Sequence, residues 1–176
     1  LGNRSILADP RNPEMRDYIN FDIKHREWFR PYSPSVLEEH FNKFFEINEK
    51  KEFMLFAIPA KKEVRHLIPS VMHVDGTSRI QTVNKSTNEK YWNLINEFYK
   101  ITGVPMVLNT SFNDNGEPIV NSPRDAINMF NSSKLDCLVI GDYWVEKKPN
   151  KAKHICNSHE PEHKPKIAKE LVLPTL

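Results

Sequence analysis

Residues 106–116 combine a strand pattern with a polar ending, and this combination restricts the chain to a few kinds of fold. The run at 106–108 is apolar and partly β-branched, which is typical of a buried strand. Small polar side chains follow it at once, and an Asn-Gly turn signal closes the stretch: Asn109, Thr110, Ser111, Asn113 and Asn115-Gly116. Open α/β sheets bind ligands where a strand runs out into a loop, and these hydroxyl and amide groups can hold an oxyanion or a planar amide. A turn that satisfies only its own backbone has the same composition, so both interpretations stay open.

A second stretch, residues 24–31, places positive charge among rigid apolar groups. Lys24, Arg26 and Arg30 lie within seven residues and are interspersed with aromatic residues and a proline. Fixed cations that emerge from a packed surface favour a phosphate site. The simpler alternative is the charged end of a helix in solvent, with Arg30 paired to Glu27.

The remaining pattern alternates between helix and strand signals. Helices are predicted from Asn12-Pro13, over 38–45, from the polar cluster at 86–89 to Gly103, and from Ser122-Pro123. Apolar runs at 53–58 and 135–142 predict buried strands, and 78–83 alternates like a half-buried strand with Arg79, Gln81 and Val83 on one face. Strand, helix and strand between 105 and 142 predict a crossover unit, and hence an α/β fold with a mixed or parallel sheet and helices packed against it.

Charge and cysteine content exclude several functional classes. The 176 residues include 25 basic and 23 acidic ones, for a net charge of +2. No global field therefore favours nucleic acid or an anionic membrane, and an anion site has to be a local cluster. Only Cys137 and Cys156 are present, which argues against a disulfide framework and is typical of a cytoplasmic protein. No apolar run reaches the roughly 18–20 residues of a membrane span, and the start at Leu1 indicates a fragment of a longer protein.

Residues 147–176 differ from the preceding domain, 1–146, in being rich in Lys, Glu, Pro and His with few aromatics. This composition predicts a polar tail or extension. The spacing of His154, Cys156, His159 and His163 does not match a usual structural zinc pattern, so no metal site is predicted.

Four stretches of the chain carry a family resemblance. They read LGNRSILADP at 1–10, IKHREWFRPYSPSVL at 23–37, HVDGTSRIQTV at 73–83, and TGVPMVLNTSFN with EPIV between 102 and 120. Together they resemble the C-terminal, YrdC-like domain of the O-carbamoyltransferase family, which includes enzymes of nodulation-factor, cephamycin and aminoglycoside biosynthesis.

The resemblance implies a twisted open mixed sheet flanked by helices. It implies a reaction in which ATP, with Mg²⁺, and carbamoyl phosphate give carbamoyl-adenylate with release of pyrophosphate. An N-terminal metal-binding domain of the same full-length chain would then transfer the carbamoyl group to an acceptor hydroxyl. By position in the motifs, Lys24, Arg26 and Arg79 would contact phosphate and the carbamoyl anion. The nucleotide or carbamoyl ligands would be Asn109, Thr110, Ser111 and Asn113, with Arg4, Ser5 and Arg30.

The chain also departs from a related group, the threonylcarbamoyl-adenylate synthases. These share the fold, a Lys-x-Arg element and a Ser/Thr-Ser-x-Asn element. Here Phe112 replaces their usual small residue, and Gly2-Asn3-Arg4-Ser5 replaces their Pro-Thr-Glu-Thr loop. These differences favour carbamoyl phosphate over a threonine-derived donor. A synthase of that kind and a non-catalytic nucleotide- or RNA-binding module remain alternatives, although the small net charge argues against nucleic acid; a homodimer is left open.

Overall fold

The computed structural model describes residues 2–147 of the chain. The predicted tail, apart from Lys147, and its histidines lie outside the described residues. The strands within this range are β1 Ser5–Ala8, β2 Ser33–Leu37, β3 Ala57–Pro59, β4 Thr77–Arg79, β5 Gln81–Val83, β6 Met106–Ser111, β7 Cys137–Ile140 and β8 Tyr143–Glu146. The α-helices are α1 Met15–Tyr18, α2 Phe41–Phe44, α3 Glu89–Thr102 and α4 Pro123–Ser132. A π-helical turn, Ile19–Ile23, continues α1, and 3₁₀ helices cover Lys62–Leu67 and Pro69–Val71.

A four-stranded sheet in the order β1-β6-β2-β5 forms the centre of the fold. β6 runs antiparallel to both neighbours, with Ser5 opposite Ser111 and Ser35 opposite Val107. β2 and β5 are parallel, with Ser35 opposite Gln81. The sheet is therefore mixed and carries helices, which confirms the predicted α/β class.

The alternation of side chains along β6 explains why it occupies a central position. Met106 and Leu108 are buried in the larger core cluster, whereas Val107 packs with Ile95 of α3 in a second cluster. Successive residues of a strand face opposite sides of the sheet, so an apolar run can be buried on both.

The helix boundaries follow the capping signals with small shifts. The Asn88 side chain accepts a hydrogen bond from the Tyr91 amide at the start of α3, and Gly103 ends the helix with φ of 74°. Ser122 and Asp125 form a capping box at the start of α4, whose first residue is Pro123. The first helix begins at Met15 rather than at residues 12–13 because the Asn12 side chain accepts from the Glu14 amide and forms a turn.

The strand predicted at 53–58 is wrong for most of its length. Only Ala57 and Ile58 join β3, which pairs with β4 outside the central sheet. Phe53, Leu55 and Phe56 are more than half exposed. An apolar run is buried only where a second layer covers it, and β3–β4 is a short two-stranded ribbon.

Two further expectations about strand connections are also wrong. The strand predicted at 78–83 divides at Ile80, since β4 pairs with β3 whereas β5 pairs with β2. Arg79 is consequently exposed, while Gln81 and Val83 are buried. β7 pairs with β8 in a separate hairpin, so α4 does not connect two strands of one sheet as a crossover would.

Across residues 2–147, none of the helices has both the length and the apolar character required to cross a bilayer.

Candidate anion-binding site

The Lys-x-Arg and Ser-x-Asn elements, far apart in sequence, meet at the end of β6. The Lys24 ammonium donates to the backbone oxygens of Ser111 at 2.7 Å and Asn113 at 2.9 Å. It also lies 2.9 Å from Asn113 Oδ1 and 3.3 Å from Ser111 Oγ. Ser111 Oγ in turn donates to Asn113 Oδ1 at 2.5 Å. The loop after β6 is therefore folded around one buried cation.

Burial changes the chemistry of this cation. Lys24 is only 2% exposed. The loss of hydration, reinforced by the positive charges of Arg26 and Arg30 and opposed by Asp114, lowers the pKa of Lys24 from 10.5 to about 8. The ammonium is still mostly charged at neutral pH, but its donors are occupied by protein oxygens.

A cavity of about 160 Å³ lies beside this cluster. Its lining consists of Lys24, Arg26, Arg30, Ser111, Asn113, Asp114, Asn115 and Gly116. The Asp114 carboxylate is held by His25, whose Nδ1 lies 3.0 Å from Oδ2. Cations and amides thus surround a space with one carboxylate at its edge.

A second cavity, of about 280 Å³, adjoins the first. It is lined by Arg26, Pro31, Tyr32, Ser33, Met54, Arg79, Asn109, Thr110 and Ser111. Arg26 and Ser111 belong to both linings. We call the two cavities together the β6 groove.

The positive charge of the β6 groove is only partly neutralised. Arg30 pairs with Glu27 at 2.7 Å, which is the structural alternative left open above. Within residues 2–147, neither Arg26 nor Arg79 forms an ion pair with a carboxylate. Unpaired guanidinium groups lining a cavity suit an anionic ligand, particularly phosphate.

Asn109, which lines the larger cavity, also anchors the end of β6. Its Nδ2 donates to Ser35 Oγ at 2.9 Å and to the Tyr91 hydroxyl at 3.1 Å. Ser35 Oγ donates in turn to Gln81 Oε1 at 2.7 Å. This buried network links three strands to α3 and fixes the backbone that presents Thr110 and Ser111.

The structure gathers most of the residues selected from the sequence. The groove is lined by Lys24, Arg26, Arg30, Arg79, Asn109, Thr110, Ser111 and Asn113. Arg4 and Ser5 are not in either lining: Arg4 donates to the Val120 carbonyl at 3.3 Å, and Ser5 pairs with Ser111 in the sheet. The functional roles of all ten residues remain predictions.

Sequence reasoning missed Tyr32, Met54 and Asp114 as lining residues. Tyr32 lies inside the 23–37 motif and Asp114 directly follows the Ser-x-Asn element, so their neighbourhood was a usable signal. Met54 reaches the groove only because the 53–58 run is not a buried strand, which no local pattern indicates.

The buried Lys24 ammonium makes the free energy of unfolding depend on pH in the alkaline range. Between pH 8 and the ordinary Lys pKa of 10.5, the unfolded chain binds more protons at Lys24 than the folded chain does. The contribution of Lys24 to the free energy of unfolding therefore rises with pH in this window and is constant below it. We expect urea unfolding from pH 7 to 11 to show this rise in the wild type but not in Lys24→Met. Parallel pH profiles of the two proteins would contradict the shift, because all other titrating groups are shared.

The fold and the groove define the class of protein, an α/β domain with a cationic cleft at the end of its central strand, suited to phosphate-bearing ligands. Residues 1–147 match the family described as Carbamoyltransferase C-terminus, and the chain belongs to that family. The resemblance seen in the motifs is thereby confirmed.

Individual relatives support the same assignment. The chain is 52% identical to nodulation protein NolNO of Sinorhizobium fredii over 84% of its length, and 49% identical to nodulation protein NolO of Bradyrhizobium diazoefficiens over 85%. An uncharacterised protein of Methanocaldococcus jannaschii is 48% identical over 84% of the chain. The matched regions cover 22%, 28% and 24% of these proteins, so the chain spans about a quarter of the relatives' length.

Proposed function

We propose that this domain forms carbamoyl-adenylate for an ATP-dependent O-carbamoyltransferase. Carbamoyl phosphate, ATP and water give carbamoyl-adenylate, pyrophosphate and phosphate. Water first hydrolyses carbamoyl phosphate to carbamate and phosphate. A carbamate oxygen then attacks the α-phosphorus of ATP while the bond between this phosphorus and pyrophosphate breaks. The observation that carries the proposal is the pair of guanidinium groups, Arg26 and Arg79, that line the β6 groove and have no carboxylate partner among the described residues, 2–147.

These cations match the charge changes of such a reaction. Negative charge develops on the phosphoryl oxygens and on the departing pyrophosphate, and preorganised donors in a cleft stabilise it. Arg26 lines both cavities, so it can contact groups bound in either. Lys24 supports the reaction by holding the Ser111–Asn113 loop, since its donors are committed to that loop.

The two cavities suggest how the substrates divide. The smaller cavity is enclosed by cations and the Asn113–Gly116 loop, which suits phosphate oxygens. The lining of the larger cavity also includes the apolar side chains of Pro31 and Met54, which suit a nucleoside. The reacting α-phosphate would then lie at the junction, beside Arg26 and Ser111.

The side chains present fit Mg²⁺ only as a companion of the nucleotide. No three His, Cys, Asp or Glu side chains within residues 2–147 come together as a metal cage. Asp114 supplies one carboxylate at the smaller cavity, and Mg²⁺ is commonly bound by one or two carboxylates together with substrate phosphates. The ion would neutralise phosphate charge, while Asp114 would orient it.

Transfer to an acceptor hydroxyl would fall to another part of a longer protein. The relatives are about four times as long as the matched region, which leaves room for such a domain.

Pyrophosphate release tests the proposal directly. The full-length protein, incubated with ATP, Mg²⁺ and carbamoyl phosphate, is expected to release pyrophosphate, and the release should stop when carbamoyl phosphate is omitted. Replacing carbamoyl phosphate with threonine and bicarbonate should give none. Release only with threonine and bicarbonate would favour the threonylcarbamoyl-adenylate synthase alternative, and no release with either donor would overturn adenylate formation.

A further inference from the structure

We propose that Asn20 is a positioning residue that fixes the Arg26 guanidinium at the junction of the two cavities. The inference deepens the proposed function and rests on it, because it assigns a purpose to a buried amide outside the groove lining.

Asn20 lies in the π-helical turn and is completely buried. Its Oδ1 accepts from Arg26 Nε at 2.8 Å and from the Tyr32 hydroxyl at 2.7 Å. Its Nδ2 donates to the carbonyl oxygens of Trp28 at 3.2 Å and Arg30 at 3.1 Å. One side chain therefore uses two acceptor and two donor positions, which is its full capacity.

These partners fix the orientation of the amide. The Trp28 and Arg30 carbonyls can only accept, and Arg26 Nε can only donate, so reversing the amide would break these three contacts. Burial raises the pKa of Tyr32 to about 12, so its hydroxyl also remains a donor. The Asn20 side chain therefore has one orientation, in which Oδ1 accepts from Arg26 Nε.

The backbone reinforces this arrangement. The amide of Arg26 donates to the Asn20 carbonyl at 2.9 Å, and the amide of Lys24 reaches back five residues to Ile19 at 2.8 Å. π-helical turns of this kind are frequent at functional sites. Here the turn carries Asn20 into the interior, directly behind the loop that bears the groove cations.

The guanidinium of Arg26 is consequently held from two sides. Its Nε–H is bound to Asn20, and its central carbon lies 4.6 Å from the centroid of the Tyr32 ring. An arginine restricted in this way loses little further freedom when it binds a phosphate. A purely structural Asn20 would stabilise the 24–31 loop without any specific connection to Arg26.

A double-mutant cycle separates these roles. Affinity for ATP is measured by calorimetry in the full-length protein for the wild type, Asn20→Ala, Arg26→Lys and the double variant. Lysine keeps the charge but has no Nε–H for Asn20 to hold. We expect Asn20→Ala to weaken ATP binding about tenfold in the wild type and less than about twofold in the Arg26→Lys background. Equal effects in both backgrounds, or no effect in the wild type, would overturn the proposal.

A control variant and a replacement variant complete the double-mutant cycle. Ile19→Val, in the same turn, is the control for general destabilisation and should leave ATP affinity unchanged. Asn20→Ser enters the same cycle if Asn20→Ala does not fold.

A measurement without ligand distinguishes failure of the inference from failure of the proposed function. The Arg26 Nε–H resonance, assigned by its loss in Arg26→Lys, should exchange with solvent more slowly than that of the exposed Arg124, which forms no ion pair within residues 2–147. Fast exchange of the Arg26 signal would overturn the positioning role. Slow exchange in a protein that does not bind ATP would overturn the proposed function and leave Arg26 held as described.

Discussion

Arg79→Ala is expected to lower ATP-dependent pyrophosphate release by about 10²–10³-fold, the usual loss when one preorganised charge donor is removed from an active site. Arg79 lies at the end of β4, is exposed, and lines the larger cavity. The loss should appear in kcat/KM for ATP and carbamoyl phosphate, measured on the full-length protein. The melting temperature should stay within about 2 °C, because removing the guanidinium leaves no carboxylate of residues 2–147 without its partner.

A matched control makes this result specific. Arg124, on α4, is also exposed but is outside both cavity linings. Arg124→Ala removes the same charge from the domain and should leave turnover unchanged. Equal losses in the two variants would indicate a general charge effect. Normal turnover of Arg79→Ala would contradict the role assigned to Arg79.

Phe112→Ala is expected to lower the free energy of unfolding by about 3–5 kcal/mol, the range found when a large buried aromatic side chain is truncated. Phe112 is 6% exposed and belongs to the larger core cluster. Its amide donates to the Arg4 carbonyl at 2.9 Å, and its carbonyl accepts from the Val120 amide at 3.0 Å. The residue that departs from the synthase pattern thus anchors the Ser-x-Asn element to the core.

Urea unfolding measures this effect, and Phe29 provides the comparison. Phe29 has the same side chain but is 62% exposed, so Phe29→Ala should change stability by less than about 0.5 kcal/mol. Similar losses in the two variants would contradict the burial of Phe112. Phe112→Leu, which keeps most of the volume, should fall between the wild type and Phe112→Ala.

The sequence was informative where chemistry and pattern coincide within a short stretch. An apolar run followed by polar residues correctly indicated β6, and capping residues located α3 and α4 to within a few positions. Neither pattern indicates which strands pair with β6. Ser111 of β6 lies opposite Ser5, about a hundred positions earlier in the chain, and a local pattern does not record such a distant pairing. The apolar run at 53–58 failed for the related reason that burial requires a covering layer, which a local pattern cannot specify.

The candidate site, too, was only partly predictable from the sequence. The motifs selected cations and amides that the structure brings into one groove, because strand ends and their flanking loops cluster at a sheet edge. They did not indicate that the Lys24 ammonium would be enclosed by backbone oxygens, since residue type specifies a charge but not its exposure. Asn20 carried no signal at all, because a single amide within a predicted helix acquires its meaning only from the loop that folds against it.

The position of β6 between β1 and β2 has a consequence for the nascent chain. The ribosome makes both flanking strands first, and the strand that joins them emerges last. At a synthesis rate of about 5–20 residues per second, roughly 5–20 s separate the end of β1 from the start of β6. During that interval β1 has no partner and the loop that surrounds Lys24 does not exist. The β6 groove is therefore completed only after β6 has been made, and ATP binding by arrested chains of increasing length would report the moment at which β6 inserts.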